Sequence, residues 1–253
     1  MTSTTGSVCG RTRSKSWCGW CDASAYFHVE LEGRLNRLVK EGWSPPTLHI
    51  SMRDTMIDLV VAHYREDLCW LDAFESEPDF RVIVYTKGSM PKSSPYELHM
   101  RPNVGREAET WLYHIATRYD SLADYTVFLQ GHPFDHTEIP LTPNSLRQAV
   151  CSYFPLRSLY RESPNAFPIV RSREYAELLF QVSPPTFSFS PGAQYILSRD
   201  RIKRRPLAFY ARLHAMALAE PATSQEERPP VSPDTIDAWT LERLWPLVWE
   251  DSE

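Results

Sequence analysis

Seven consecutive residues, Gln130-Gly131-His132-Pro133-Phe134-Asp135-His136, carry two imidazoles, a carboxylate and an amide directly after an apolar run. Three chemistries fit these residue types. His132, Asp135 and His136 could hold a divalent ion, since two histidines and a carboxylate suffice for one. The same groups could do metal-free acid–base work if a histidine or a buried Asp135 titrates near neutrality. They could also form a polar turn that satisfies its own backbone. The metal-free reading is preferred, and no residue is assigned to a metal.

A second group is Asn103-Val104-Gly105-Arg106-Glu107, which follows Pro102 and opens an apolar-periodic stretch. Here Asn103 is a candidate helix cap, and Gly105 would let a ligand approach the backbone. Free N–H groups at a helix start favour an anionic or carbonyl oxygen. The bland alternative is an ordinary cap with Arg106 and Glu107 as solvated charges. The densest basic cluster is Arg199, Arg201, Lys203, Arg204 and Arg205, with Arg171 and Arg173 as a smaller one. Cationic side chains at a helix start oppose its dipole, so an external phosphate would relieve that cost; otherwise they are a solvated helix start. Cys18-Gly19-Trp20-Cys21 has redox spacing but neither a βαβ setting nor further zinc ligands around it, so no role is assigned.

The elements that must position these groups are legible from hydrophobic period. Ile57–Tyr64, Phe80–Tyr85 and Tyr125–Gln130 read as buried strands. Leu68–Phe74 and Arg106–Tyr119 read as helices, the second with Ala108, Trp111, Leu112, Ile115 and Tyr119 on one face. Strand, helix, strand, helix, strand within 75 residues or so implies an α/β fold: a mostly parallel central sheet with helices on both faces. In such sheets ligands bind beyond the carboxyl ends of the strands. Those ends carry Tyr64-Arg65-Glu66, Thr86-Lys87-Gly88 and Gln130-Gly131-His132.

Further along, Pro143–Tyr153 reads as a helix and the sequence from there to Pro191 as aromatic- and Pro-rich connection. Gly192–Ser198 reads as a strand, Arg199–Ala219 as one helix, and Asp234–Trp249 as a last helix capped by Ser232 or Asp234. Glu242-Arg243 is the exception on that largely apolar helix: pointing into the crevice, Glu242 would pair a cationic substrate group; otherwise it is an exposed i, i+1 charge pair. Residues 1–55 read as an N-terminal extension, partly disordered, with one helix over Ala25–Val39. Residues 56–253 read as a single catalytic domain.

Composition narrows the classes. Hydrophobic residues make up 42% of the 253 positions, enough for a real core. A net charge of −5 opposes indiscriminate coating of nucleic acid but leaves room for a local basic patch. No apolar run approaches the roughly 20 residues that span a bilayer. Five cysteines, an odd number without a signal-peptide pattern, read as reduced thiols, hence a cytoplasmic expectation.

Six segments occur in the same order as in a mainly fungal family. They are Val61-Ala62-His63-Tyr64-Arg65-Glu66-Asp67-Leu68-Cys69-Trp70-Leu71, Tyr85-Thr86-Lys87-Gly88, Asn103-Val104-Gly105-Arg106-Glu107, Val127 to His136, Gly192-Ala193-Gln194-Tyr195 and Leu241-Glu242-Arg243-Leu244-Trp245. The chain thereby resembles, over residues 57–249, the arginine-containing cyclodipeptide synthases, long filed as a domain of unknown function. Its segment order is also similar to the core of A-type glycosyltransferases. Where those enzymes carry Asp-x-Asp, this chain has Gly131-His132-Pro133.

The resemblance implies two aminoacyl-tRNAs as substrates, one bearing arginine, a cyclo-Arg-Xaa diketopiperazine as product, and no cofactor. It implies no obligate protein partner and no membrane. Asp135 with His132 or His136 would then be the acid–base group, and N–H groups near Gly105 or Gly131 would receive the oxyanion. Glu107, Glu66 or Glu242 would hold guanidinium. Tyr64, Asn103 and Gln130 would orient the aminoacyl group, and Arg199–Arg205 would take tRNA phosphate. No covalent nucleophile is singled out. The rival readings are a glycosyltransferase-like enzyme using a nucleotide sugar and a non-catalytic binding protein on the same scaffold.

Overall fold

The computed structural model describes residues 55–89, 94–150, 154–155, 160–162, 169–219 and 230–249. The N-terminal extension, with its expected helix and the Cys18–Cys21 pair, lies outside them. A six-stranded sheet has the order β3-β2-β1-β4-β8-β5. Its strands are β1 (Ile57–His63), β2 (Phe80–Thr86), β3 (Glu97–Met100), β4 (Tyr125–Gln130), β5 (Phe154–Pro155) and β8 (Tyr195–Ser198). The pairs β3–β2, β2–β1 and β1–β4 are parallel, whereas β4–β8 and β8–β5 are antiparallel. A two-stranded antiparallel ribbon joins β6 (Tyr160–Glu162) to β7 (Phe187–Phe189). The expected mostly parallel α/β core is therefore present.

Six α-helices accompany the sheet among the described residues: α1 (Arg106–Arg118), α2 (Pro143–Ala149), α3 (Ile169–Phe180), α4 (Arg199–Lys203), α5 (Leu207–Leu218) and α6 (Ala238–Trp249). None is long and apolar enough to cross a membrane. Successive strand side chains point to opposite faces, so each buried strand feeds two cores. On one face Val60, Ile83, Phe128 and Tyr195 meet Trp111, Tyr175, Leu213 and Trp245 from α1, α3, α5 and α6. On the other, Leu59, Val61, Val82, Val127 and Leu129 meet Leu71, Phe74 and Leu146. The faces are unequally covered: five helices on the first, with α4 adding Ile202, and the short α2 and the 3-10 turn Cys69–Phe74 on the second.

Several elements depart from the sequence expectation. β3 lies in a stretch assigned no element, and β5, β6, α3 and β7 lie in the stretch read as connection. The single helix over Arg199–Ala219 is two, because Pro206 offers no N–H and its extended backbone (φ −68°, ψ 156°) starts α5 afresh. The last helix begins at Ala238, since Asp237 rather than Ser232 or Asp234 caps it: the Thr240 N–H donates to Asp237 Oδ1 at 2.9 Å. The helix after Thr142 ends at Ala149, short of Tyr153.

One polar chain crosses the larger core. Asp58 is fully buried on β1 and accepts both a 2.7 Å Nε bond and a 2.7 Å Nη2 bond from Arg81. His114 of α1 lies 3.7 Å from the same carboxylate, with its Nδ1 3.1 Å from the Tyr85 hydroxyl. Burial, together with the positive charge of Arg81 and His99, pushes His114 down to about 3. The unfolded imidazole titrates near 6.5, so on acidification the unfolded chain binds a proton that the folded chain refuses. This contribution to stability is complete above pH 6.5 and is lost progressively down to about pH 3. Urea unfolding should show stability falling with acid at up to about 1.4 kcal/mol per pH unit from this group. His114→Phe should flatten that slope between pH 6 and pH 4 or so; an unchanged slope would contradict a neutral buried imidazole.

Candidate active site

β1 is followed by β2 and β3 on one side of it, and β4 lies on the other, so the topological switch falls between β1 and β4. Their carboxyl ends are level, with Ala62 opposite Gln130. The segments leaving them touch: a Cβ on Gly131 would stand 2.6 Å from Glu66 Oε2. Gly131 is thus where the backbone must let the Glu66 carboxylate come close. Trp70 Nε1 donates to Gly131 O at 3.0 Å and pins the same segment from outside.

The carboxylates of this crevice sit in unlike environments. Burial alone would push Glu66 up, but Oε2 accepts from the N–H of Tyr64 at 2.7 Å and of Arg65 at 3.0 Å, and the net shift is downward. Glu107, in the first turn of α1, is pushed up chiefly by burial, with the negative charge of Glu242 adding to it and Arg106 and Lys87 opposing. Glu242 does point inward from α6: its Oε1 accepts from the Gly192 N–H at 2.7 Å. Gly192 in turn has no room for a side chain, because the His136 ring would lie 2.4 Å from its Cβ. Through Gly192, α6 and the turn after β4 close on one another.

Two glutamines hold that turn in place. Gln194, fully buried, accepts the Gln130 N–H at 2.9 Å through Oε1. Its Nε2 donates to Pro133 O at 3.1 Å and His136 O at 2.8 Å. The Gln130 side chain, expected to orient substrate, donates instead to Gly192 O at 3.2 Å. Pro133–His136 forms a 3-10 turn that presents His132, Phe134 and Asp135 to solvent. Asp135 lies 3.8 Å from His132, and its side chain is 78% exposed, which is not the burial an acid–base carboxyl tuned by desolvation requires. Tyr64 and Asn103 are exposed as well.

The start of α1 is built differently from the expected cap. Asn103 makes no cap bond; the N-cap is Gly105, at φ 60°, and Arg106 follows at φ 46°. A Cβ on Gly105 would lie 2.7 Å from Glu109 Cβ and 3.2 Å from Ala217 O, so the missing side chain admits α5 and not a ligand. Left-handed backbone at a non-glycine residue costs about 1–3 kcal/mol and needs support. Lys87 supplies it by donating to Val104 O and Arg106 O. That side chain is 5% exposed, and its ammonium lies 2.8 Å from Glu109 Oε2. Glu109 also pairs with Arg101 and with His214 of α5. Burial would raise its carboxyl, yet His214, Lys87 and Arg101 together bring it down to about 2. The sequence places Lys87 in a motif but assigns no role to it or to Glu109. A charged residue on the inner face of α1, one turn after a glycine, is the signal that could have found the pair.

The basic cluster lies at the far end of the sheet. Ser198 pairs with Tyr125 at the amino end of β4, so Arg199 starts about 17 Å from the crevice along the strand. Arg199 donates to Leu122 O and pairs with Asp124 at 2.7 Å, and Arg205 donates to Leu247 O. Both serve the fold. Lys203 and Arg204 are exposed there, with Arg201 half-buried.

A domain matching the family described as Protein of unknown function (DUF3431) is found at residues 59–152. It spans β1 to α2 and therefore Glu66, Lys87, Glu107, Glu109 and the turn after β4, but not Gly192, Glu242 or the basic cluster. No curated protein matches the chain.

Replacing Glu109 with Gln leaves Lys87 buried without its counter-charge and should destabilise the fold by about 3 kcal/mol. Paired with Lys87→Met in a double-mutant cycle, the two losses should fall short of additivity by about 1–3 kcal/mol in urea unfolding. Strict additivity would show that the pair is not the unit holding the α1 start.

Proposed function

We propose that the chain is an aminoacyl-tRNA-dependent cyclodipeptide synthase that joins an arginyl group to a second aminoacyl group and releases a cyclo-Arg-Xaa diketopiperazine. The observation that carries this reading is the placement of Glu66 against Gly131 at the end of β4 and of Glu107 within electrostatic reach of Glu242, in environments that drive Glu66 and Glu107 in opposite directions. Carboxyls pushed apart in this way divide naturally between a charge that holds and a group that moves a proton. Glu66, kept ionised by two backbone N–H donors, and Glu242 suit a guanidinium, which binds carboxylate through paired N–H bonds. Glu107 suits proton transfer.

The chemistry needs no further activation, because each aminoacyl group arrives as an ester. The α-amine of one aminoacyl-tRNA attacks the ester carbonyl of the other, an amide forms, and one tRNA leaves with its 3′-terminal oxygen. The free amine of the dipeptidyl-tRNA then attacks the remaining ester and closes the ring. Two ester bonds break and two amide bonds form. At each step the amine proton passes to the departing tRNA oxygen, with Glu107 as the relay. A nucleotide sugar, the alternative donor, would bring its phosphates up against the Glu107–Glu242 pair, a repulsion that a cationic aminoacyl group turns into attraction. The exposed Lys203 and Arg204 are assigned to tRNA phosphate.

Mass spectrometry of a reaction with purified protein, tRNA, synthetases, ATP and amino acids should reveal a cyclo-Arg-Xaa mass that vanishes with ribonuclease. Folded protein that makes none, and is protected by a nucleotide sugar, would overturn the proposal. Glu107→Gln should lower turnover at least a hundredfold or so, and Asp135→Asn by less than about tenfold. The reverse order would hand proton transfer to Asp135. The acid limb of the wild-type rate profile should lie above the ordinary carboxylate range and disappear in Glu107→Gln. Lys203→Glu with Arg204→Glu should weaken tRNA binding and make its salt slope shallower by about one for each phosphate no longer neutralised; an unchanged slope would remove the patch.

A further inference from the structure

The mouth of the crevice is aromatic. Phe134 is 48% exposed and Tyr64 38% exposed, each a large aromatic ring at the surface. Phe134 stands edge-on to Trp70 at 5.9 Å and to His132 at 5.3 Å. Tyr64 carries the Arg65 guanidinium over its face at 4.7 Å. The rim is continuous with the acidic interior, because Tyr64 and Arg65 donate their N–H groups to Glu66, and Trp70 bonds Gly131. The 3-10 turn that raises Phe134 is itself fixed from beneath by the buried Gln194. A turn held so firmly presents its ring in one place.

We infer that this rim, centred on Phe134 and Tyr64, stacks the unpaired 3′-terminal nucleobase of an RNA substrate. The inference rests on the proposed function, since it follows from the connectivity of an aminoacyl ester. The aminoacyl group is bonded to the ribose of the last nucleotide, so with that group at Gly131 and Glu66, the base lies one sugar away, at the crevice mouth. Unpaired bases are held by aromatic and guanidinium planes in just this setting. Stacking accepts any base, so affinity here comes from the ring face. Arg65, over Tyr64, adds a cation beside the position of the terminal phosphodiester.

The test uses the full chain and two fluorescent RNA minihelices, one ending in CCA and one with an abasic 3′-terminal residue. Wild-type protein should bind the CCA minihelix about tenfold more tightly, the size ordinary for one stacked base. Phe134→Ala with Tyr64→Ala should bind both equally, while unfolding cooperatively on heating like the wild type. Wild-type protein that does not distinguish the two RNAs, or a variant that still does, overturns the rim. Product formation is read separately. Diketopiperazine synthesis without base discrimination would sink this inference and spare the function. Base discrimination without diketopiperazine would sink the function and spare the rim.

Discussion

A carboxylate with no exposed surface, Glu109, sets the geometry on which the rest of the site depends. It holds Lys87 in the interior, and Lys87 holds the Val104 and Arg106 carbonyls. Those two bonds keep Gly105 and Arg106 in left-handed backbone and so fix the angle at which α1 leaves the sheet. Breaking a buried ion pair from one side leaves an uncompensated charge, which is why such a pair has essentially one arrangement. Glu107, two residues before Glu109, inherits its place from that constraint. Arg101 and His214 fasten the same carboxylate to β3's exit and to α5, so the start of α1 is tied to three other parts of the fold.

The opposite wall of the crevice is held by neutral groups. Gln194 reaches under the turn after β4, Gln130 reaches across to Gly192, and Gly192 donates to Glu242. Amide side chains satisfy several backbone groups at once without bringing charge into a site whose own carboxyls must be tuned. Two carboxyls at the carboxyl-end loops of the sheet, Glu66 and Glu107, thus differ in their readiness to ionise. In a proton-transfer reaction on a cationic substrate, that difference is the useful property.

The central strands and α1 are legible in the sequence because a parallel strand covered on both faces reads as an unbroken apolar run, and α1 has a clear 3.6-residue stripe. β3 is not, since Glu-Leu-His-Met at a sheet edge has no such run; its Glu97 pairs with Arg118 and its His99 stacks on Tyr85. Pro206 is a visible break that the apolar periodicity on either side conceals. Of the candidate site residues, Glu66 meets Gly131, while His136 and Glu242 meet at Gly192 and Glu242 acts on Glu107. Gln130 turns inward, Asn103 caps nothing, and Arg199 and Arg205 serve the fold. Charge density in a sequence does not reveal which cations already have partners. Lys87 and Glu109 go unassigned for the same reason: each is informative only once the other is found beside it.

The most direct test of the account is the rate of product formation from arginyl-tRNA compared with the same tRNA carrying citrulline. Citrulline matches arginine in shape and lacks its charge. If Glu66 and Glu242 hold a guanidinium, the neutral side chain forfeits its charge-assisted bonds to both carboxylates, and the rate should fall by about a hundredfold or more. Glu66→Gln should then erase most of the preference. Equal use of the two substrates would contradict the claim that the carboxylates at this switch point exist to receive a cation.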